Sequence, residues 1–150
     1  MGINNKADAD QVLNDDASLV RLVDKALNDE DWLVRMEAME SEYHEQYHVD
    51  KAINDKDWRV RIAAITSPKH KKYHVDIAIN DEEYRVRLWA IRSEHHTKKH
   101  VDIAINDKDW LVRMAAIESP KHKKYHVDKA INDSNESVRE AAKKSKYYTD

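Results

Sequence analysis

The sequence predicts an all-α protein, a right-handed α-solenoid of two-helix repeats, on three observations. The first is composition: 150 residues contain one glycine, two prolines and 37% charged residues, which favours helices over turn-rich β-structure. The second is a period of 26 residues, with similar segments beginning at Val23, Val49, Val75 and Val101. The third is the helical spacing of the apolar residues inside each segment.

The period also defines how the predicted domain is organised. Residues 1–150 form a single domain, in which 1–22 are a partial N-terminal capping unit, 23–126 are four full repeats, and 127–150 are half a repeat and a polar tail. One pair of short helices cannot bury its apolar faces, so each repeat is expected to stack on its neighbours. Terminal units depart from the consensus because one of their faces meets solvent.

The first helix of a full repeat is predicted over residues 57–66, with the sequence DWRVRIAAIT. Apolar residues at helical spacing cover most of its sides, so it is expected to be largely buried. Asp55 or Asp57 is expected to cap its N-terminus, because a carboxylate accepts hydrogen bonds from the first unpaired backbone N–H groups. The partial N-terminal unit is expected to use Asp15 or Asp16 in the same way.

The second helix of the repeat is predicted to open at Ser67 and Pro68 and to continue to about Asn80. Serine is a preferred capping residue, and proline fits the first helical position, where no N–H is needed. Ser119 and Pro120 repeat the same device. The inward stripe of this helix is predicted to consist of Val75, Ala78 and Ile79.

One motif recurs through the chain: D-x-x-x-x-V-R-x-x-A, followed by S-P and then by V-D-x-A-I-x-D. In one copy it is carried by Asp55, Val60, Arg61, Ala64, Ser67, Pro68, Val75 and Ala78. With this motif the chain resembles the short HEAT-like repeat proteins, particularly the leucine-rich-repeat-variant and bilin-lyase-type classes, over about residues 17–145. The resemblance implies an α-solenoid with an extended binding surface, and it is not specific to one activity.

This chain lacks the functional residues of enzymes that have similar repeats. Deoxyhypusine hydroxylase resembles this architecture but binds two irons through several His-Glu pairs, whereas this chain has one such pair, His44-Glu45. The equivalent positions are His70-Lys71, His96-Thr97 and His122-Lys123. A cysteine-ligated iron–sulfur domain is excluded because the chain contains no cysteine. We therefore expect no catalytic residues and no cofactor.

Pairs of histidines four residues apart recur in the second helix of every repeat. They are His44 and His48, His70 and His74, His96 and His100, and His122 and His126. Such pairs can chelate zinc. The alternative is a ladder of hydrogen bonds between stacked repeats, which we favour because a residue present in every copy usually serves the contact between copies. No metal site is therefore predicted.

Arginine and aspartate also recur at fixed positions. The two series are Arg35, Arg61, Arg87, Arg113 and Arg139, and Asp24, Asp50, Asp76, Asp102 and Asp128. They could form a charged recognition stripe. We favour a network of ion pairs and hydrogen bonds between repeats, because arginine can fork across a carboxylate or backbone carbonyls of an adjacent helix.

Two sets of residues are candidates for binding a partner. The first is an aromatic series with one additional tryptophan: Trp32, Trp58, Tyr84, Trp89 and Trp110. Its simplest interpretation is packing, but exposed members would be natural interface anchors. The second set, the lysine edge, consists of Lys71, Lys72, Lys98, Lys99, Lys123 and Lys124. These lysines are either a solvated edge or a docking strip for an acidic partner.

The sequence thus predicts a protein-interaction module, an adaptor or an inhibitor that binds a larger protein through its repeat surface. Specificity is expected where the repeats vary, as at Leu33/Arg59/Arg85/Leu111 and Glu37/Ala63/Trp89/Ala115. A nucleic-acid-binding protein that uses the lysine edge with Lys69 and Lys121 ranks lower, because the net charge is −3. An enzyme ranks last, because an active site is normally built once. A monomer in the cytoplasm, without membrane attachment, is expected.

Overall fold

The structure, a computed structural model, describes residues 15–150, which contain ten α-helices and no β-strand. Residues 1–14 of the predicted capping unit lie outside the described residues. The first five helices are α1 (Asp16–Ala26), α2 (Trp32–Glu40), α3 (Gln46–Ala52), α4 (Trp58–Thr66) and α5 (Lys72–Ala78). The next five are α6 (Tyr84–Arg92), α7 (Lys98–Ala104), α8 (Trp110–Glu118), α9 (Lys124–Ala130) and α10 (Glu136–Lys143).

Long and short helices alternate along the chain. The long helices α2, α4, α6 and α8 have nine residues each, and the short helices α3, α5, α7 and α9 have seven. Helices that are close in sequence pack together: α2 packs on α4, α6 on α8, and α8 on α10. The predicted all-α fold with helical repeats is confirmed for residues 15–150.

The predicted caps of the long helices are present. The side chain of Asp57 accepts a hydrogen bond from the backbone N–H of Arg59, and Asp31, Glu83 and Asp109 do the same in their own helices. Asp15 caps α1 through the N–H of Ser18. Of the two alternatives at each site, the residue directly before the helix is therefore the cap.

The predicted start of the short helix is wrong. Ser67 ends α4 with extended backbone (φ −61°, ψ 138°), Pro68 lies in the following turn, and α5 begins only at Lys72. The hydroxyl of Ser67 accepts the N–H of Lys69 at 3.0 Å and so stabilises a turn instead of a helix. Ser119 makes the same turn, and α9 begins at Lys124. The end of α5 is Ala78, short of the predicted Asn80.

A histidine side chain caps the short helix instead. Nδ1 of His126 accepts the backbone N–H of Lys123 at 2.8 Å, directly before α9. Nδ1 of His74 accepts the N–H of Lys71 at 2.8 Å, directly before α5. The cap therefore comes from the third residue of the helix, and the serine stabilises the preceding turn.

The chain forms two compact units, one that ends at His70 and one that comprises Lys71–Asp150. Each has an apolar core of valine, alanine and isoleucine from both kinds of helix, including the predicted inward residues Val75, Ala78 and Ile79. Within residues 15–150, every helix is too short or too polar to cross a bilayer. The prediction of a single domain stays a prediction.

Candidate partner-binding surfaces

The second histidine of each pair is buried, and its ring is hydrogen-bonded to its surroundings. In the first unit, Nδ1 of His48 accepts the N–H of Glu45 at 2.7 Å, so the proton lies on Nε2, which donates to Asp24 at 2.5 Å. Tyr47 donates its hydroxyl to the same carboxylate at 2.6 Å. The hydrogen bonds from Tyr47 and His48 lower the pKa of Asp24, and Asp24 raises the pKa of Tyr47 to about 12.

The same cluster recurs in the second unit. His126 donates to Asp102 at 2.7 Å and Tyr125 donates at 2.5 Å, and Tyr125 is the larger cause that lowers the pKa of Asp102 to about 2. Asp76 accepts from His100 at 2.6 Å. The tyrosine position is occupied by Lys99 in α7, the helix of His100. The histidine–aspartate contact is therefore present both with and without the tyrosine.

The first histidine of each pair binds serine with the opposite tautomer. Nδ1 of His44 donates to the carbonyl of Ser41 at 2.6 Å, so Nε2 of the neutral ring accepts the hydroxyl of Ser67 at 2.6 Å. His96 makes the same two contacts, with Ser93 and Ser119, at 2.6 Å each. Burial lowers the pKa of His96, which favours the neutral ring that these contacts require.

Two lysines of the nucleic-acid alternative have structural partners. The ammonium group of Lys69 donates to the carbonyl of His44, and that of Lys121 donates to the carbonyl of His96. Both lysines are only half-exposed. Each lysine donates to the backbone of the equivalent turn one repeat earlier. Both therefore contribute less to an open basic surface than the sequence indicates.

The recurring arginines form ion pairs between repeats, as predicted, but their carboxylate partners are Asp55, Asp107 and Asp133. Of the aspartate series considered in the sequence, Asp24, Asp76 and Asp102 bind histidines instead. Arg87 is buried and forks across the carboxylate of Asp107, with Nε–Oδ2 at 2.7 Å and Nη2–Oδ1 at 3.0 Å. Its third nitrogen donates to the carbonyl of Asp81 at 2.8 Å. Arg35 binds Asp55, and Arg113 binds Asp133, in the same way. Arginine in this position ties two successive acidic turns to one long helix.

These contacts explain why the histidines recur. Both ring nitrogens of His44, His48, His96 and His126 are bonded within their own unit. Residues 15–150 contain no group of three histidine, aspartate or glutamate side chains placed to hold a metal ion. The geometry supports the hydrogen-bonded ladder between repeats over zinc chelation.

The aromatic candidates differ in exposure. Trp32, Trp58 and Tyr84 are half-buried at the starts of their helices. Trp110 is 37% exposed and Trp89 is 42% exposed. Leu33, at one of the varied positions, is 41% exposed. The tryptophan that breaks the pattern is therefore the most exposed member of the set.

Arg59 covers part of the aromatic series in the first unit. Its guanidinium carbon lies 3.4 Å from the centroid of the Trp32 ring, and the same group forms a bidentate pair with Asp57 at 2.9 and 2.7 Å. Leu111 occupies the equivalent position in α8. The varied position thus decides how much of the neighbouring surface is apolar.

All six residues of the lysine edge are exposed. Three of them pair with an aspartate one turn later on the same helix: Lys72 with Asp76 at 3.1 Å, Lys98 with Asp102 at 3.2 Å, and Lys124 with Asp128 at 2.8 Å. Within residues 15–150, Lys71, Lys99 and Lys123 make no ion pair. The pairing weakens the positive potential that an acidic partner or a nucleic acid would meet.

The varied positions of the long helices form what we call the long-helix face. In the second unit it comprises Arg85, Leu88, Trp89, Arg92, Leu111, Met114, Ala115, Glu118, Ser137, Glu140, Ala141 and Lys144. An open groove of 680 Å³ lies on it between α8 and α10. Met114, Ile117 and Ala141 give the groove apolar lining, and Glu118, Glu136, Glu140 and Lys144 give it charged groups.

The groove runs beside two small side chains of α10. Ser137 occupies the position of Arg85 and Leu111, and Ala141 occupies the position of Trp89. Both small residues line the groove. The change from a large to a small residue is at position 137, because Ala63 and Ala115 already occupy the position of Ala141 in earlier repeats.

No protein-family model matches this chain, and neither a curated protein nor a solved structure matches it significantly. The resemblance to short HEAT-like repeats, drawn from the motif, stays a prediction.

Three features of these surfaces were missed by sequence reasoning. They are the groove between α8 and α10, the stacking of Arg59 on Trp32, and the use of Lys69 and Lys121 to bind backbone carbonyls. The small residue Ser137 at a varied position was a readable signal for the groove. The lysine contacts had no such signal, because their acceptors are backbone atoms 25 residues earlier.

Proposed function

We propose that this protein is a non-catalytic protein-binding module, an adaptor or an inhibitor, whose long-helix face contacts the partner. The proposal includes a right-handed α-solenoid of 26-residue HEAT-like repeats, the arrangement expected from a period that runs through residues 23–126. Cytoplasmic location remains part of the proposal.

One observation carries the proposal: recurring polar residues are engaged within the protein, whereas large residues at several varied positions are exposed on the long helices. Arg35, His48 and Ser67 are buried and bonded in the first unit. Trp89 and Leu33 lie at varied positions and are exposed. A surface that differs from repeat to repeat can distinguish one partner from another, and exposed tryptophan is a frequent interface anchor.

A binding role is also favoured over catalysis by the state of the histidines. A general base or metal ligand needs an accessible ring nitrogen. His44, His48, His96 and His126 use both nitrogens for contacts inside their unit. These side chains therefore stabilise the fold and are poor candidates for chemistry.

The test compares two variants in nuclease-treated lysate of the native cell. The face variant is Leu33→Ala with Trp89→Ala, and the edge variant is Lys71→Glu, Lys72→Glu, Lys123→Glu and Lys124→Glu. We expect a protein captured by the wild type to be lost with the face variant and retained with the edge variant. Thermal unfolding of both variants controls for folding.

Other outcomes would contradict this assignment. Loss of the protein with the edge variant alone would move the interface to the lysine edge. Capture that disappears on nuclease treatment would favour the nucleic-acid alternative, and its steep salt dependence would be the confirming measurement. Equal capture by all forms would exclude both surfaces.

A further inference from the structure

Helix α2 exposes a leucine together with two carboxylates. Leu33, Glu37 and Glu40 follow one another at intervals of four and three residues and therefore share one face of the helix. Leu33 is 41% exposed, and both glutamates are exposed. Glu30, in the turn before the helix, is exposed as well. We call these four residues the α2 surface, in which one apolar side chain has acidic residues on both sides along the chain.

The carboxylates of the α2 surface lack a cation from the protein itself. Within residues 15–150, none of its three glutamates makes an ion pair. The only lysine or arginine between positions 29 and 45 is Arg35, which is buried and already bonded to a carboxylate. On the adjacent helix α4, Arg59 is paired with Asp57. Lys56, one repeat after Glu30, is exposed and makes no ion pair with it. The negative charge of this surface is therefore uncompensated.

These charges are unfavourable for the isolated protein. Glu37 and Glu40 lie three residues apart on one helix, where like charges repel. Both also lie in the last turn of α2, near the negative end of the helix dipole, where lysine or arginine would be favourable. A cation supplied from outside would relieve both effects without displacing an internal partner.

We propose that the α2 surface binds a basic segment of a protein partner, which places an apolar side chain on Leu33 and lysine or arginine beside Glu37 and Glu40. Charge complementarity argues for this occupant. Positions 29–45 contain seven exposed carboxylates and no exposed cation, and the seven are Asp29, Glu30, Asp31, Glu37, Glu40, Glu42 and Glu45. Of these, within residues 15–150, only Glu45 makes an ion pair, with Lys69 at 3.5 Å. Leu33 adds an apolar contact inside a charged rim, the usual arrangement of a protein interface.

The same position on α8 has a different setting. Leu111 occupies the position of Leu33, but Lys108 and Ala115 replace Glu30 and Glu37. The acidic setting of the leucine is therefore specific to α2. The inference rests on the proposed function, because it names the chemistry of the partner at the α2 part of the long-helix face.

The test measures binding of a labelled amphipathic peptide of leucine and lysine by fluorescence anisotropy. A second peptide has the same leucines and glutamate in place of lysine. We expect the protein to bind the lysine peptide, with an affinity that falls as salt is added, and not the glutamate peptide. Glu37→Lys with Glu40→Lys should weaken binding by at least about tenfold, because each change replaces attraction by repulsion. Leu33→Ala should weaken it by at least about threefold.

Matched variants separate this contact from general effects. Glu82→Lys with Glu94→Lys changes the net charge by the same amount at two exposed carboxylates outside the α2 surface, and Leu22→Ala removes a leucine of α1 that is 56% exposed. Both should bind the lysine peptide like the wild type. Glu37→Lys with Glu40→Lys should unfold at a urea concentration no lower than that of the wild type, because it places cations near the C-terminal end of α2. Binding would then be lost without loss of folding.

Equal weakening by the α2 pair and the control pair would mean that net charge alone holds the peptide, and would overturn the inference. Equal binding of the glutamate peptide would do the same. Self-association in sedimentation velocity that disappears with Glu37→Lys and Glu40→Lys would make a second copy the occupant, against the proposal. If no variant of α2 changes peptide binding while the face variant still loses a captured protein, the inference fails and the proposed function stands. If the peptide depends on Glu37 and Glu40 but no captured protein depends on the face, the inference stands and the proposed function fails.

Discussion

Arg87 and Trp89 lie two residues apart on α6 and meet opposite environments. Arg87 is 5% exposed and forks across Asp107, while Trp89 is 42% exposed and lies on the long-helix face. Arginine recurs at the first position in every repeat, and tryptophan occupies the second position once. One side of α6 thus contacts the neighbouring repeat, and residues on its other side can change without disturbing that contact.

Replacing the recurring buried arginine of α6 should have the largest effect on stability. Arg87→Ala leaves the buried carboxylate of Asp107 without its cation, and we expect the free energy of unfolding to fall by about 3–5 kcal/mol. The matched control is Arg85→Ala on the same helix, whose ion pair with Glu83 is exposed and whose loss should cost less than about 1 kcal/mol. Urea denaturation measures both. Equal losses would erase the distinction between the two sides of α6.

Acidification should weaken the contacts of the recurring histidines and aspartates in two steps. Burial lowers the pKa of His96 and His126 below 6.5, so the unfolded chain takes up protons that the folded chain refuses. The free energy of unfolding should therefore be highest above about pH 6.5 and fall below it. The free energy of unfolding should fall a second time from about pH 4 to about pH 2, as Asp102 is protonated. Its pKa is about 2 in the folded chain, against an ordinary value of 3.8.

Urea denaturation at a series of pH values tests this order. A free energy of unfolding that stays constant from about pH 7.5 to about pH 5 would contradict the buried, neutral state assigned to the histidines. His96→Asn should flatten part of the first step, since it removes one of the titrating groups.

A smaller effect is expected at the exposed rim of the histidine cluster. Tyr125→Phe removes the hydroxyl that donates to Asp102 and should raise the pKa of that carboxyl from about 2 towards 3.8. Because the contact is exposed, the free energy of unfolding should change by less than about 1 kcal/mol. NMR titration of the Asp102 carboxyl carbon measures the shift, with Tyr148→Phe as the control. An unchanged pKa would mean that His126 and Lys98 are sufficient to set it.

Replacing an exposed residue at a varied position of α6 should have the smallest effect on stability. Trp89→Ala removes a side chain that is partly in solvent, so the free energy of unfolding should fall by less than about 1 kcal/mol. Partner capture should nevertheless be lost. Urea denaturation and capture on one preparation test both parts, and a loss of several kcal/mol would show that Trp89 is a core residue.

The comparison also explains what could be predicted from sequence. The Asp57 cap, the buried stripe of Val75, Ala78 and Ile79, and the arginine network follow from local preferences and from repetition. The start of the short helix did not, because Ser67 satisfies local capping rules but is bound by Lys69 and by His44, which is 23 residues earlier. The groove is lined by residues from α8, α10 and the C-terminal segment, so its shape could be found only from the three-dimensional structure.

Our central claim is that the long helices use one side to contact neighbouring repeats and the other side to bind a partner. Site-specific photo-crosslinking in the native lysate tests it most directly. A photoreactive amino acid is placed at position 111, on the long-helix face, or at position 129, on the short helix α9. Position 111 should give a discrete crosslinked product with another protein, and position 129 should give none. Products from position 129 alone would contradict the account and place the binding surface on the short helices.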